Sequence, residues 1–219
     1  MFDRGKKPSG RAPDPDCRTK RIKLAVSCAL TGYAIVLSGL SGSVSCSLAA
    51  LAMGVSTLGD AALAGYPKGL KDRLVKGGIL FFIAHALYIA ALLMSSARPV
   101  RALLPGFLFP FAVFFGLTAL HGAAFYFRAR SKAPPAFFAA AFVYLLGVGV
   151  HVSAAFSVLP GRGYPIYAAG ALLFYCSDAV LLARKHASLR ERWIPALIWI
   201  TYVPAQICLL TGLYLHSLA

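Results

Sequence analysis

The sequence has few acidic residues. Only seven of its 219 residues are Asp or Glu, against 22 Lys and Arg. Hydrophobic residues make up 59% of the chain, above the roughly 45–50% apolar content of soluble domains. Five of the acidic residues fall in polar stretches, and only Asp60 and Asp178 fall in long apolar ones. This composition is typical of a membrane protein, and it makes these two carboxylates stand out.

Motifs for metals, thiols and nucleophiles are missing. The five cysteines have no CxxC spacing, and four lie in apolar stretches, where a free thiol behaves as a small hydrophobic group. The sequence has no Gly-x-Ser-x-Gly, no His-Glu-x-x-His and no phosphate-binding loop. His85, His121 and His151 are predicted at different depths, which argues against a shared zinc site. We therefore expect no disulfide framework, no metal and no cofactor.

Long apolar stretches are abundant, and several approach or exceed the roughly 20 residues that a helix needs to cross a bilayer. They predict an all-α, polytopic transmembrane bundle forming one domain over residues 22–219. Residues 1–21 are polar and basic, so we expect a disordered cytoplasmic tail there rather than a signal peptide. Pro105 and Pro110 predict a kinked or irregular start to the fourth helix. The seven predicted spans are about 22–40, 44–63, 77–95, 102–127, 136–158, 165–183 and 194–215.

The net charge of +15 follows the membrane topology. If the N-terminus is cytoplasmic, the tail and the alternate loops facing the same side hold nineteen of the 22 Lys and Arg, and the opposite links hold three. The positive-inside rule produces such a bias. It predicts seven spans with the N-terminus in the cytoplasm, and it favours a bilayer over a nucleic acid as the partner of the basic residues.

A carboxylate inside a bilayer is costly, about 2.5–3.5 kcal/mol at a helix centre by insertion scales, and so indicates a functional site. Asp60 and Asp178 are predicted one to two turns from the cytoplasmic ends of helices 2 and 6. The alternative for Asp60 is a solvated helix end beside a basic loop. For Asp178 that alternative is weaker, because apolar or small residues separate it from Arg184.

Other polar side chains are predicted in the same half of the bilayer. His85 and Tyr88 are spaced i, i+3, and Tyr202 and Gln206 are spaced i, i+4, so each pair shares a helix face. Ser177 directly precedes the second aspartate. A common cavity would account for all of them. The alternative is structural: His85 could bond a backbone carbonyl, and the others could form interhelical hydrogen bonds. His121 and His151 are interpreted as structural, and Tyr144 as a packing residue.

Several motifs resemble those of a known family. These are Leu-Gly-Asp at 58–60, Ala-His-Ala-Leu-Tyr at 84–88, Gly-Ala-Leu-Leu-Phe-Tyr-Cys-Ser-Asp-Ala-Val-Leu at 170–181 and Thr-Tyr-Val-Pro-Ala-Gln at 201–206. In order and spacing they resemble the YhhN-like lysoplasmalogenase family across about residues 44–215. Members of that family are usually described with eight helices, so eight spans remain possible here.

The resemblance implies a membrane-embedded hydrolase that cleaves the vinyl-ether bond of lysoplasmalogens, which are lysophospholipids, in a bacterial inner membrane. Such a reaction needs one protonated and one ionised carboxyl group, and two nearby acids in a low-dielectric site divide in this way. We assign these roles to Asp60 and Asp178, without saying which is the acid. The substrate-binding or water-orienting residues would be His85, Tyr88, Ser177, Tyr202 and Gln206, and the bases that attract the phosphate would be Lys68, Lys71 or Arg184.

Two other functions are compatible with the sequence. A proton-coupled transporter of small molecules or lipids would also use buried Asp, His and Tyr, although no paired broken helices or inverted repeat is visible. A non-catalytic lipid-binding protein would have no need of paired carboxylates. Turnover distinguishes the enzyme from both, and uptake into proteoliposomes distinguishes the transporter from the binding protein.

Overall fold

The structure is a computed structural model that describes residues 15–67, 70, 72–129, 135–186, 191 and 193–218. This part of the chain contains seven helices, all long and apolar enough to cross a membrane. The predicted all-α transmembrane bundle is confirmed, and the chain is an integral multi-pass membrane protein. The helices are α1 (Pro15–Ser41), α2 (Val44–Ala64), α3 (Arg73–Ser95), α4 (Val100–Ala129), α5 (Pro135–Ser157), α6 (Tyr164–His186) and α7 (Ile194–Ser217).

Helix α1 begins earlier than the sequence predicted, at Pro15 rather than at residue 22. Residues 15–21 are therefore helical instead of belonging to a disordered tail, and residues 1–14 lie outside the described part of the chain. Proline is favoured in the first helical turn, and the Lys and Arg that follow are good helix formers. The apolar pattern marks only the membrane-spanning part, which begins at Thr19, so it underestimates the length of the helix.

Helix α4 runs without interruption through Pro105 and Pro110, so the predicted irregularity is wrong, whereas a kink at these prolines stays a prediction. Proline is tolerated inside membrane helices because neighbouring groups and small local adjustments satisfy the carbonyl that it frees. This helix is peripheral: it packs mainly against α5, and Phe109 and Leu120 on its other face are exposed. The remaining six helices form the centre of the bundle.

Consecutive helices pack against each other except for α3 and α4. Helix α3 packs instead on α5, and α7 packs on α1 and α2. The contact between α6 and α7 is close because glycines form it. A Cβ atom on Gly170 would come within 2.8 Å of the Ala205 carbonyl oxygen, and one on Gly212 within 2.7 Å of the Tyr167 nitrogen. Small residues allow membrane helices to approach in this way. Asp178 on α6 and Tyr202 on α7 line the same cavity.

Basic side chains gather at the end of the bundle where α1 and α3 begin and α2 and α6 end. We call this the basic end, and it is the side for which the sequence predicts a cytoplasmic location. Four of its side chains line one cavity between the helices: Lys20, Lys23, Arg73 and Arg184.

Candidate functional site

The cavity at the basic end has a volume of about 440 Å³ and contains both membrane aspartates. Helices α1, α2, α3, α6 and α7 supply its walls. Besides the four basic side chains, it is lined by four of the residues that the sequence predicted for the site: Asp60, Ser177, Asp178 and Tyr202. The expectation of a common cavity is thus met for these four residues, while the other polar residues that the sequence grouped with them do not line it. The cavity has a cationic rim and two acidic groups inside.

Asp60 is held by hydroxyl groups from two other helices. Ser27 on α1 donates a hydrogen bond of 2.6 Å to its Oδ2 atom, and Tyr202 on α7 donates one of 2.8 Å to the same atom. Hydrogen bonds to a carboxylate are shorter and stronger than those between neutral groups. Asp60 is therefore a built-in part of the cavity wall rather than a solvated helix end.

Asp178 is more enclosed, with 4% of its surface exposed. Tyr144 on α5 donates a hydrogen bond of 2.6 Å to Oδ2 of Asp178, and Nε2 of His85 on α3 lies 3.6 Å from the same oxygen. The neighbouring Ser177 hydroxyl donates to the backbone carbonyl of Ile198 at 3.1 Å. Ser177 lines the cavity, but its hydrogen is used to join α6 to α7.

His85 and His151 meet in the core, although the sequence placed them at different depths. Their Nδ1 atoms are 2.9 Å apart. Nε2 of His151 lies 2.7 Å from the Tyr167 hydroxyl, which in turn donates to the backbone carbonyl of Tyr88 at 2.9 Å. Depth counted from helix ends ignores helix tilt and side-chain reach. His151 is joined through His85 to Asp178, a link that its interpretation as a structural residue did not include.

A second hydrogen-bonded chain leads to Asp60. Tyr88 donates to Oε1 of Gln206 at 2.7 Å, and Nε2 of Gln206 donates to the Tyr202 hydroxyl at 3.2 Å. Tyr88 and Gln206 are fully buried and lie behind the cavity wall, so neither lines the cavity. That these two residues bind substrate or orient water stays a prediction; in the structure they form the hydrogen-bonded chain that supports Tyr202.

The remaining predicted residues lie elsewhere. His121 on α4 packs against the Phe125 ring, with ring centroids 4.2 Å apart, and it does not line the cavity. Lys68 and Lys71 lie outside the described residues, whereas Arg184 is at the cavity. Within the described ranges, no three His, Cys, Asp or Glu side chains come together as metal ligands would.

An apolar groove of about 450 Å³ adjoins the cavity between α3, α5 and α6. Ile79, Phe82 and Val143 lie on its membrane-exposed side. Its wall toward the cavity is shared, because the same four side chains line both spaces: Leu63, Leu74, Phe81 and Leu181. A polar, cationic compartment thus lies next to an apolar compartment that is open toward the bilayer.

Sequence reasoning missed three residues of this network. Ser27 lies in the first apolar stretch, and a lone serine there gives no signal. Tyr144 and Tyr167 are single tyrosines in apolar helices, a pattern that packing explains equally well. Only the packing of α1, α5 and α6 on their neighbours gives these hydroxyl groups their partners.

Comparisons with known proteins match the site to a family. A model of the YhhN family matches residues 20–213, a range that includes every described residue of the cavity except Thr19. No curated protein and no solved structure matches the chain.

Proposed function

Because the chain belongs to the YhhN family, we propose that it is a membrane-embedded hydrolase that cleaves the vinyl-ether bond of lysoplasmalogens. The products are a fatty aldehyde and a glycerophospho-ethanolamine or glycerophospho-choline. The observation that carries this proposal is the presence of Asp60 and Asp178 in one cavity with four basic side chains.

The chemistry of a vinyl ether needs two carboxyl groups in different states. Protonation of the β-carbon uses the electron pair of the C=C bond and leaves an oxocarbenium ion at the α-carbon. Water then adds to the α-carbon and gives up a proton, which forms a hemiacetal. The hemiacetal collapses to the aldehyde and the free glycerol hydroxyl. A protonated carboxyl supplies the first proton, and an ionised one stabilises the cation and receives the proton from water, as in glycosidases.

The two compartments fit a lipid with one chain and a phosphate. Lys20, Lys23, Arg73 and Arg184 supply charge-assisted donors for a phosphate at the mouth of the cavity. The apolar groove beside Phe81 accommodates the hydrocarbon chain, because it opens toward the bilayer. With the head group in the cavity and the chain in the groove, the ether bond that joins them comes close to the carboxylates.

We also propose that the basic end faces the cytoplasm of a bacterial inner membrane, since positively charged loops are retained on that side. Single cysteines in a cysteine-free background, at exposed Asp72 and exposed Arg98, test the orientation in intact cells. A membrane-impermeant maleimide should label the variant at position 98 only. Labelling of the variant at position 72 alone would reverse the orientation.

The proposed activity is tested with purified protein in detergent and two lipids that share head group and chain length. One is a lysoplasmalogen, and the other is the corresponding lysolipid with a saturated ether. The first should release aldehyde, and the second should be inert because it has no C=C bond to protonate. If the folded protein releases no aldehyde from the lysoplasmalogen, the proposed activity is refuted. Uptake of either lipid into proteoliposomes without turnover would identify the protein as a transporter.

A further inference from the structure

The hydrogen bonds around His151 determine where its protons lie. The Tyr167 hydroxyl has one hydrogen and gives it to the Tyr88 carbonyl, which can only accept. Nε2 of His151, 2.7 Å from the Tyr167 oxygen, must therefore be the donor in that contact. The first proton of this array is fixed on Nε2 of His151.

The contact between the two histidines needs a second proton. Their Nδ1 atoms are 2.9 Å apart, a hydrogen-bond distance at which one nitrogen carries the hydrogen and the other accepts it. If His151 is neutral, its single proton is already on Nε2, and Nδ1 of His85 is the donor.

A third proton belongs between His85 and Asp178. Nε2 of His85 is buried and makes no hydrogen bond within the described residues, and it lies 3.6 Å from Oδ2 of Asp178. Without a proton, a bare nitrogen lone pair would face an ionised carboxylate in a buried site, which is repulsive. A proton here gives either an imidazolium beside a carboxylate or a neutral imidazole beside a carboxylic acid.

The array of His151, His85 and Asp178 thus holds three protons, whereas two neutral imidazoles and a carboxylate hold two. With the additional proton it is electrically neutral overall, which suits its burial. The other side chains that face His85 are Tyr144 on α5 and the Phe174 ring on α6. The Tyr144 hydroxyl is already engaged as a donor to Asp178.

Asp60 has the opposite arrangement. In the hydrogen-bonded series that ends at Asp60, each group donates to the next: Tyr88 to Gln206, Gln206 to Tyr202, and Tyr202 to Asp60. Ser27 adds a second hydroxyl donor to the same oxygen. Hydrogen bonds donated to a carboxylate favour its ionised form. Among the described residues, Asp60 accepts two of them, whereas Asp178 accepts one, from Tyr144, and shares the additional proton with His85.

We infer that Asp178 is the acid of the proposed reaction, that His85 and His151 share its proton, and that Asp60 is the ionised carboxylate. This inference rests on the proposed function for its catalytic meaning. The proton passes from Asp178 to the β-carbon, which takes the electron pair of the C=C bond. Asp60 receives a proton from the attacking water. Collapse of the hemiacetal moves its hydroxyl proton to the departing glycerol oxygen, and proton transfer from Asp60 through water restores Asp178.

Tyr167 is a positioning residue in this scheme, because its hydroxyl determines which nitrogen of His151 is protonated. In a Tyr167→Phe variant, His151 can carry its proton on Nδ1 and donate it to His85. His85 can then carry its own proton on Nε2 and donate it to an ionised Asp178. All contacts are satisfied with two protons, so the additional proton is lost. Tyr175→Phe is the matched control, since Tyr175 is also on α6 and bonds Thr118 at 3.1 Å.

The test combines spectroscopy with kinetics on full-length protein in detergent. Histidine labelled with ¹⁵N, assigned with His85→Gln and His151→Gln, reports the protonation of each ring nitrogen. Infrared spectra report a protonated carboxyl through its C=O stretch. In the parent and in Tyr175→Phe, we expect His151 to be protonated at Nε2. We also expect one of two signs of the additional proton: the nitrogen signals of an imidazolium, or the C=O band of a protonated carboxyl group. Such a band should disappear in Asp178→Asn and remain in Asp60→Asn. In Tyr167→Phe this additional proton should be absent, and kcat should fall about tenfold or more with KM unchanged.

Two results would overturn the inference: neutral imidazoles with an ionised Asp178 in the parent, or the same kcat in Tyr167→Phe and Tyr175→Phe. If the parent protein releases no aldehyde but its spectra show the additional proton, the proposed function is refuted, and with it the role of Asp178 as the acid. The spectra alone would still decide the proton count, so the two failures are distinguishable.

Discussion

The hydroxyl of Tyr144 donates a hydrogen bond of 2.6 Å to Oδ2 of Asp178, across the contact between α5 and α6. The same oxygen faces Nε2 of His85 on α3. One carboxyl oxygen therefore has neighbours from two other helices, and its position is fixed before any substrate binds. Preorganisation of this kind is what a reacting group requires.

Replacing Tyr144 by phenylalanine should lower kcat for aldehyde release by about tenfold, because it removes the hydroxyl that positions the Asp178 carboxyl group, and such a hydrogen bond contributes about 1.5 kcal/mol. The measurement is a steady-state assay in detergent with Tyr33→Phe as the control. Tyr33 loses a comparable hydroxyl bond, to Thr211 at 2.9 Å, but lies outside the cavity lining. Equal kcat for the two variants would show that Tyr144 only packs α5 on α6.

Neutralising one base at the cavity should weaken substrate binding without changing the chemistry. Arg184→Gln is expected to raise KM for a phosphate-bearing lysolipid several-fold and to leave kcat unchanged. The effect should shrink as salt is added, because the attraction is electrostatic. Arg98→Gln is the control, since Arg98 is exposed and lies in the link between α3 and α4. If both variants raise KM equally, the four bases do not bind the phosphate.

Filling the apolar groove should select against long chains. Gly78 lines the groove and has no atom within 4 Å of a Cβ built on it, so Gly78→Phe places a ring in open space. KM should rise for a long-chain substrate and change little for a short-chain one. Gly116→Phe on the lipid-facing side of α4, also in open space, should change neither. A uniform loss for both chain lengths in Gly78→Phe would assign the chain to another surface.

Much of the fold could be predicted because apolar stretches and basic loops are read along the chain. The bounds of α2 and α5 agree with the prediction to within a residue. Errors occurred where the helix extends beyond the membrane, as at Pro15, or where a local rule was applied too strictly, as at Pro105.

The site was only partly predictable. Asp60 and Asp178 are evident because a carboxylate in an apolar helix is rare, and the i, i+3 spacing identified His85 and Tyr88 as a pair on one face. The link between His85 and His151 could not be predicted, because it depends on how α3 packs on α5. Spacing within one helix carries no information on that contact, and the same holds for Ser27 and its bond to Asp60.

The most direct test of the account is aldehyde release from a lysoplasmalogen by purified parent protein, Asp60→Asn, Asp178→Asn and Asp72→Asn. Asp72 is exposed and does not line the cavity, so its variant controls for the substitution itself. The parent and Asp72→Asn should release aldehyde at similar rates, and the two cavity variants should be slower by at least about a hundredfold while remaining folded and monodisperse. Activity within a few-fold of the parent in either cavity variant would contradict the central claim that the two carboxylates perform the reaction together.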